Sequence, residues 1–488
     1  MKQVLVLGNG SVPAIFCNWL SQQTDSDQCQ LQTAGEEELH ASGARQARIS
    51  KADLVVSFLP DELNQSVAAD CLLLRKHFIT PCRLNEKILN LRTQVESAGL
   101  LFLYELGFDP GIDHMSALDL ITSIRGLGGK IISFHAHSGQ LPAESNGNNP
   151  WQHRTGNPAS IVQAGKLGAV YKDNGRLKEL SYKEVFNGSR LVEIPGPGFL
   201  SWYPVTDSLG YIPLYGLDEA QTVVRSCLRH PDFMYGWNNV TDLNLGDDAT
   251  MYDTNGMKLD EFFKSHFDKQ GFHLWLEQKM MERFTQTRQI LEKLMQFMEV
   301  QQEATQVGEE FPDNMMVVDE QGKLGNIDLD AVKDNAAAMV AYKMHEANLT
   351  LKQLFFLGMD DSQTLINKGT CSAAEVLSFA VEKKLAWQPG EHDMAVMLHE
   401  IEYELEGTRR IAGRHFLLKG NEAYGAVDLV TALCTAIVAR QVLEDKIKLR
   451  GLHIPVQPEI YTPVMEALSL SINSLTPSVA GFSMVTRL

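Results

Sequence analysis

Residues 2–104 alternate short apolar runs with helix-like stretches, and this alternation commits the start of the chain to a parallel sheet flanked by helices. The runs at 2–7, 28–33, 53–59, 77–80 and 100–104 read as strands, and 13–22, 64–75 and 86–98 between them read as helices. Two strands running the same way in one sheet need a crossover of a dozen residues or more, and a helix makes it compactly. The expected fold class is α/β, beginning with a Rossmann-like, doubly wound parallel sheet. Residues 35–51 have room for a short helix but not for a further strand and its crossover, so the first half of this sheet is expected to be trimmed.

The last of these strands runs into Gly107-Phe108-Asp109-Pro110-Gly111-Ile112-Asp113-His114. Two glycines and a proline break the strand, and two carboxylates and an imidazole sit in the break. Open α/β sheets bind ligands outside the carboxyl ends of their strands, which makes this turn a candidate reaction site. Asp113 is the candidate catalytic acid or base. It also stands where a carboxylate caps a following helix, here 115–125, and the two roles are compatible.

Gly8-Asn9-Gly10 follows the first strand and precedes a helix, the setting of a dinucleotide-binding turn. Gly8 allows the tight turn, and Gly10 lets the backbone approach a pyrophosphate at the helix N-terminus. The third glycine position holds Pro13, which a first helical turn tolerates. The expected cofactor is NAD or NADP. Glu36 stands where a carboxylate accepts hydrogen bonds from ribose hydroxyls and repels a 2′-phosphate, which favours NAD. Equally, Glu36 fits a helix start that complements the dipole, and Arg45 or Arg48 could meet a phosphate instead.

Arg225 and Arg229 lie four apart, as on one helix face. Two adjacent guanidinium groups repel unless they meet anions, which suits a substrate with several carboxylates; separate ion pairs with Asp218, Glu219 or Asp232 satisfy them equally well. Ser138 and Gly139 end the strand at 131–137 and offer backbone N–H groups to a carboxylate, or form a plain turn. Gly- and Pro-rich turns at 139–158 and 195–198, with strand character at 191–194 and 393–404, indicate a mixed α/β region. Residues 259–306 are strongly helical, with apolar residues at helical spacing that suit internal packing or the seam of a homodimer. Residues 329–386 continue helically, 426–443 form another apolar helix, and the Ser-rich segment 469–488 is expected to be loosely held.

The chain of 488 residues carries 43 basic and 61 acidic side chains, a net charge of −18. That field disfavours nucleic acid and anionic membranes as partners. Its seven cysteines form no C-x-x-C pair and are odd in number, which fits reduced thiols of a cytoplasmic protein with no structural metal. The apolar start of the chain is interrupted at Gly8, which suits a strand and turn better than a signal peptide.

Taken together, these motifs resemble the saccharopine dehydrogenase family of the L-glutamate-forming kind. The resemblance rests on Gly8-x-Gly10, 53–60 (DLVVSFLP), 105–114 (ELGFDPGIDH), Gly128-Gly129-Lys130-Ile131, 138–142 (SGQLP), Tyr203-Pro204, Asp207-Ser208, 214–217 (LYGL), Arg225 to Arg229, 391–397 (EHDMAVM) and the stretch from Gly451 to Val464. It implies a Rossmann-like domain at 1–115 joined by about 422–465, a mixed α/β substrate domain at 116–258 and 387–421, and a mainly helical insertion at 259–386. It implies hydride transfer between a nicotinamide cofactor and the carbon beside the secondary amine of saccharopine, after which the imine hydrolyses to glutamate and aminoadipate semialdehyde. Arg225, Ser138 and Gly139 become carboxylate contacts. The chain departs from the family pattern at Thr80-Pro81-Cys82-Arg83, where the family has Thr-Thr-Ser-Tyr, and at Ser138, where it has cysteine. It departs again at Val205-Thr206, where it has Asn-Arg, so that Thr206 replaces an arginine expected to grip a carboxylate. Arg83 is a new cation near the same cleft. Two alternatives follow: the same fold reducing an imine of a different amino-dicarboxylate, or a non-catalytic binding protein that keeps the fold.

Overall fold

The computed structural model describes residues 1–24, 29–144, 148–186, 190–306, 314–318, 324–475 and 481–487. Its first sheet is fully parallel and six-stranded. β1 (Lys2–Leu7) lies between β2 (Cys29–Ala34) and β3 (Leu54–Ser57), followed by β4 (His77–Ile79), β5 (Leu101–Leu103) and a last strand at Gly451–His453. These strands read as continuous apolar runs because both faces are covered. The alternation of side chains sorts them into two cores. Val4, Val6, Val56, Ile79, Leu101 and Leu103 pack with Phe16 and Leu20 of α1 (Ser11–Gln23). Leu5, Leu7, Val55, Phe78 and Phe102 pack with Ile49, Val67 and Cys71 on the opposite face.

The segment after β2 folds into a 3-10 turn, Glu36–Leu39, and a short helix, Ser42–Ile49. Among the described residues no strand lies beyond β2, and the sixth strand comes instead from Gly451–His453 at the other edge. The single helix expected at 86–98 is two, Glu86–Leu89 and Arg92–Ser97.

The second sheet is mixed and centres on β6 (Lys130–Pro142). One neighbour, the strand Thr222–Arg229, runs parallel to it, and the other, Asp393–Leu405, runs antiparallel. Three expectations are corrected here. Arg225 and Arg229 sit on a strand, not a helix: Thr-Val-Val favours extended backbone, and an even spacing still puts both on one face. β6 does not end at residue 137; it continues through Ser138 and Gly139, opposite Met397 and Val396, because a long partner strand was there to pair. Most of 469–488 is regular: the helix Pro458–Leu475 is followed by Gly481–Arg487, which pairs antiparallel with Thr408–Lys419. Residues 476–480 and 488 lie outside the described residues.

The helix Ala426–Leu443 has the length and apolar character of a membrane span, but Leu429, Val430, Leu433, Ile437 and Val438 are buried in the core. Its N-terminus is capped from a distance. Asp393 accepts the amide hydrogens of Ala426 (2.5 Å) and Val427 (3.2 Å) and a hydrogen bond from Gln140 Nε2 (2.7 Å).

Chain contacts define two compact units. One comprises Met1–Ser145, Leu167–Arg229 and Gln388–Leu488 and contains both of these sheets; the other comprises Asn146–Lys166 and His230–Trp387. The second unit holds the helices Leu259–Gln270 and Phe272–Gln306, separated at Gly271 (φ +65°), and Leu329–Leu357.

Candidate active site

The β1–α1 turn is shaped by its glycines. Gly8 has φ +128° and donates its N–H to Ala34 O (3.0 Å); a Cβ there would sit 3.2 Å from that of Phe58. Gly10 has φ +98° and opens to free space, with nothing within 4 Å of a built Cβ. α1 begins at Gly10 with no side-chain cap and no acidic residue in its first turn, so its first amides keep the anion-binding character of a helix start. Ser11 donates its hydroxyl to Asp428 of the Ala426–Leu443 helix. Asn9 lies against Gly35, where a Cβ would meet its Oδ1 at 2.7 Å. Glu36 is half-buried just beyond the end of β2.

The two arginines near Glu36 are engaged elsewhere. Arg45 is buried, donating to Asp70 (2.5 Å) and Leu39 O (3.0 Å), and Arg48 pairs with Glu38. Arg45 is thus enclosed with its carboxylate, whereas the Arg48–Glu38 pair stands at the surface, its side chains 40% and 49% exposed.

At the same strand-end edge, after β5, the glycine-rich turn carries a buried ionic cluster. Arg225 Nη2 contacts Asp109 Oδ1 (3.0 Å) and Asp113 Oδ2. The Arg225 and Asp113 side chains are 5% and 3% exposed, while Asp109 keeps 23%. Ser138 donates its hydroxyl to Asp109, and the Gly111 amide donates to Asp113 Oδ1 (2.6 Å). Tyr211 lies 4.0 Å beneath the Arg225 guanidinium, a cation–π contact that helps hold a desolvated charge.

Two carboxylates share one cation, and their affinities for a proton are pushed apart. Burial raises Asp113, reinforced by Asp109 and opposed by His114 and Arg225. Burial also acts on Asp109, but Arg225, the Ser138 hydroxyl, His114 and Arg83 outweigh it and hold Asp109 below the ordinary carboxylate range. Such a pair supplies one group that stays ionised and one that can carry a proton.

A second chain of contacts flanks this cluster. His114 is fully buried, with Nδ1 on Tyr215 Oη (2.7 Å) and Nε2 on Glu105 Oε2 (3.0 Å). Nε2–H donates to Glu105, and Nδ1 shares a hydrogen bond with the Tyr215 hydroxyl. Glu105 adopts φ +62°, unusual for a non-glycine residue, and its other oxygen accepts the Leu84 amide (3.0 Å). It thereby ties the loop carrying Arg83 to the site. His137 and His399 are buried nearby and held neutral, each pushed down to about 3 mainly by burial.

The structure thus brings together Asp113, Arg225 and Ser138. Gly139 lies in the ladder opposite Val396, and a Cβ there would meet Leu228 O at 2.8 Å. Arg83 is exposed, near enough to influence Asp109 and Tyr211. Gly8, Gly10 and Glu36 gather at the β1–β2 end. The sequence reading missed Asp109 as a partner of Arg225, and also Glu105, Tyr211 and Tyr215. Only Asp109 and Glu105 carried a local signal, being charged residues at a strand end.

The family model of the saccharopine dehydrogenase C-terminal domain matches residues 107–471. The alpha-aminoadipic semialdehyde synthase of Arabidopsis thaliana is 28% identical over 438 residues, covering 86% of this chain and 36% of that protein, so the chain spans about a third of its length. The L-glutamate-forming, NADP(+)-named saccharopine dehydrogenase of Saccharomyces cerevisiae is 23% identical over 488 residues, 96% of each chain. A solved structure of apo histidine-tagged saccharopine dehydrogenase (L-Glu forming) from the same yeast shares the fold over 100% of both chains, with a TM-score of 0.76 at 19% identity. The family match covers most of the chain, including the ionic cluster, and the chain belongs to the saccharopine dehydrogenase family.

Proposed function

We propose that this chain is an NAD(P)-dependent oxidoreductase that oxidises the CH–NH bond of saccharopine, giving glutamate and aminoadipate semialdehyde, and that it prefers NAD. The observation that carries this reading is the buried Asp109–Arg225–Asp113 cluster, at the same sheet edge as the Gly8–Gly10 turn. The residues of that turn fit a dinucleotide: the uncapped start of α1 and the open space above Gly10 leave room and amide donors for a pyrophosphate. When bound, the nicotinamide supplies the hydride acceptor. Gly8 and Gly10 would lie under the pyrophosphate, and Glu36 would accept hydrogen bonds from the ribose.

Loss of hydride leaves an imine between the former amine nitrogen and its carbon. Water adds to that carbon, and the C–N bond breaks to release the amine of glutamate and the aldehyde. Asp113, whose proton affinity is raised by burial, would accept the secondary amine's proton before hydride loss and position the attacking water. Ser138 and the exposed Arg83 would contact substrate carboxylates. Arg225 would do so by exchanging Asp109, the more exposed of its two partners. The NAD preference departs from the names of the fungal relatives. It is supported by Glu36 and by the buried pairing of Arg45 with Asp70, which takes that arginine away from a 2′-phosphate.

Steady-state oxidation of saccharopine with each cofactor tests the proposal. Turnover with kcat/KM at least about tenfold higher for NAD is expected, and a preference for NADP would reverse the cofactor assignment. Asp113→Asn should lower kcat by roughly 10²–10⁴-fold with cofactor affinity unchanged. A related amino-dicarboxylate is the second reading. It is favoured by Thr206, which carries no charge and uses its carbonyl to accept the Val170 amide (2.9 Å); a substrate panel in which saccharopine is the best substrate rejects it.

A further inference from the structure

Four strands of the first sheet start at one cavity of about 330 Å³. Lys2, Leu54, His77 and Leu101, at the beginnings of β1, β3, β4 and β5, all line it. This is the N-terminal edge of the sheet, opposite the edge that carries Gly8 and Asp113. Its volume lies at the lower end of the roughly 300–1,000 Å³ of small-molecule sites, and part of its wall is apolar.

The charges in this cavity do not balance. Lys2, Arg75, Lys76 and Arg450 face only two carboxylates, Asp53 and Asp445, in a chain whose net charge is −18. Asp53 is committed to the Gln3 amide (2.7 Å). Asp445 is met by Lys2 (3.4 Å), whose ammonium also donates to Leu443 O (2.9 Å). Arg75, Lys76 and Arg450 have no carboxylate partner among the described residues. Arg75 follows the end of the Asp61–Leu73 helix with φ +55°, a left-handed position that glycine usually takes, so the cation stands where an uncharged glycine would serve the backbone better. His77 Nδ1 accepts the Leu101 amide (3.0 Å), which puts its proton on Nε2 and makes that atom a donor. Burial, then Arg450 and Lys2, lower its proton affinity against the opposing pull of Asp445 and Asp53.

We propose that this cavity binds a small polyvalent anion, bearing phosphate or two or more carboxylates, on Arg75, Lys76 and Arg450. Like charges held together at a cavity mouth are relieved by a ligand of opposite charge. The site is independent of the reaction proposed for the opposite edge of the sheet.

The test is thermal unfolding of the full chain titrated with inorganic phosphate and, separately, with citrate, against potassium chloride at matched ionic strength. A saturable rise in Tm of roughly 1–2 °C at about ten times Kd is expected with at least one of the two anions. The rise should fall by more than half in the Arg75→Gln/Arg450→Gln double variant. A response to phosphate alone assigns a phosphoryl ligand, and a response to citrate alone assigns a polycarboxylate. Either overturns the proposal if the double variant responds as the wild type does, as does a wild type that shows nothing beyond the chloride reference. Should the double variant fail to fold, Lys76→Gln takes its place under the same criteria.

Discussion

Arg225→Met is expected to destabilise the protein by about 3–5 kcal/mol and to abolish turnover, because it leaves two carboxylates inside the fold without their cation. The Asp113 side chain is only 3% exposed, and Arg225 is its one cationic contact within the ion-pair distance among the described residues. The pH dependence follows from the two opposed shifts. Asp109 is depressed in the folded wild type, so it contributes stability above its unfolded pKa of about 3.9, and that contribution is lost as pH falls through the folded value. Asp113 is raised, so it opposes folding once pH climbs past its unfolded value, and the penalty levels off above the folded value. Without Arg225 both carboxylates are raised. The stability gap between variant and wild type should therefore narrow as pH falls from 7 towards 4. Urea unfolding at several pH values measures it. Adding Asp113→Asn to Arg225→Met should restore more than half of the lost stability and none of the activity. A variant as stable as wild type at pH 7 would remove the buried charge centre from the account of this site.

The parallel sheet was legible because strands covered on both faces read as unbroken apolar runs with helices between them. Its last strand was not, since the three residues of Gly451–His453 gain their conformation from pairing with β5 across more than half of the chain. The same limit hid Gly481–Arg487, which depends on the edge of Thr408–Lys419. Arg225 and Arg229 show a different ambiguity. Positions four apart share a face on a helix and on a strand alike, so the side-by-side placement was readable while the element was not. In the site, the Gly107–His114 turn was legible because its glycines, proline and acids act locally. Its partners were not: Ser138 meets Asp109 and Tyr215 meets His114 only after the second sheet forms.

That turn also sets the second large effect. Gly111→Ala is expected to cost more than about 3 kcal/mol and to eliminate activity, because the position fails on two counts at once. Gly111 has φ +145°, and a Cβ would lie 2.2 Å from Gly107 O, 2.6 Å from Gly107 N and 2.7 Å from Glu105 O. Those atoms are not free to withdraw. Gly107 O accepts the Ile112 amide (3.0 Å), Gly107 N–H donates to Pro110 O (3.1 Å), and Glu105 fixes His114. Any shift that accommodates the methyl group also moves the Gly111 amide, which holds Asp113 (2.6 Å), so chemistry and fold fail together. Gly10→Ala separates the two causes. It has the unfavourable φ of +98° but an open surround, and should cost only about 1–3 kcal/mol while weakening cofactor binding. Denaturant unfolding of both variants decides the matter: equal losses would mean that backbone conformation alone demands glycine at 111, whereas a larger loss at Gly111 assigns the difference to the closed packing of the turn against its own backbone.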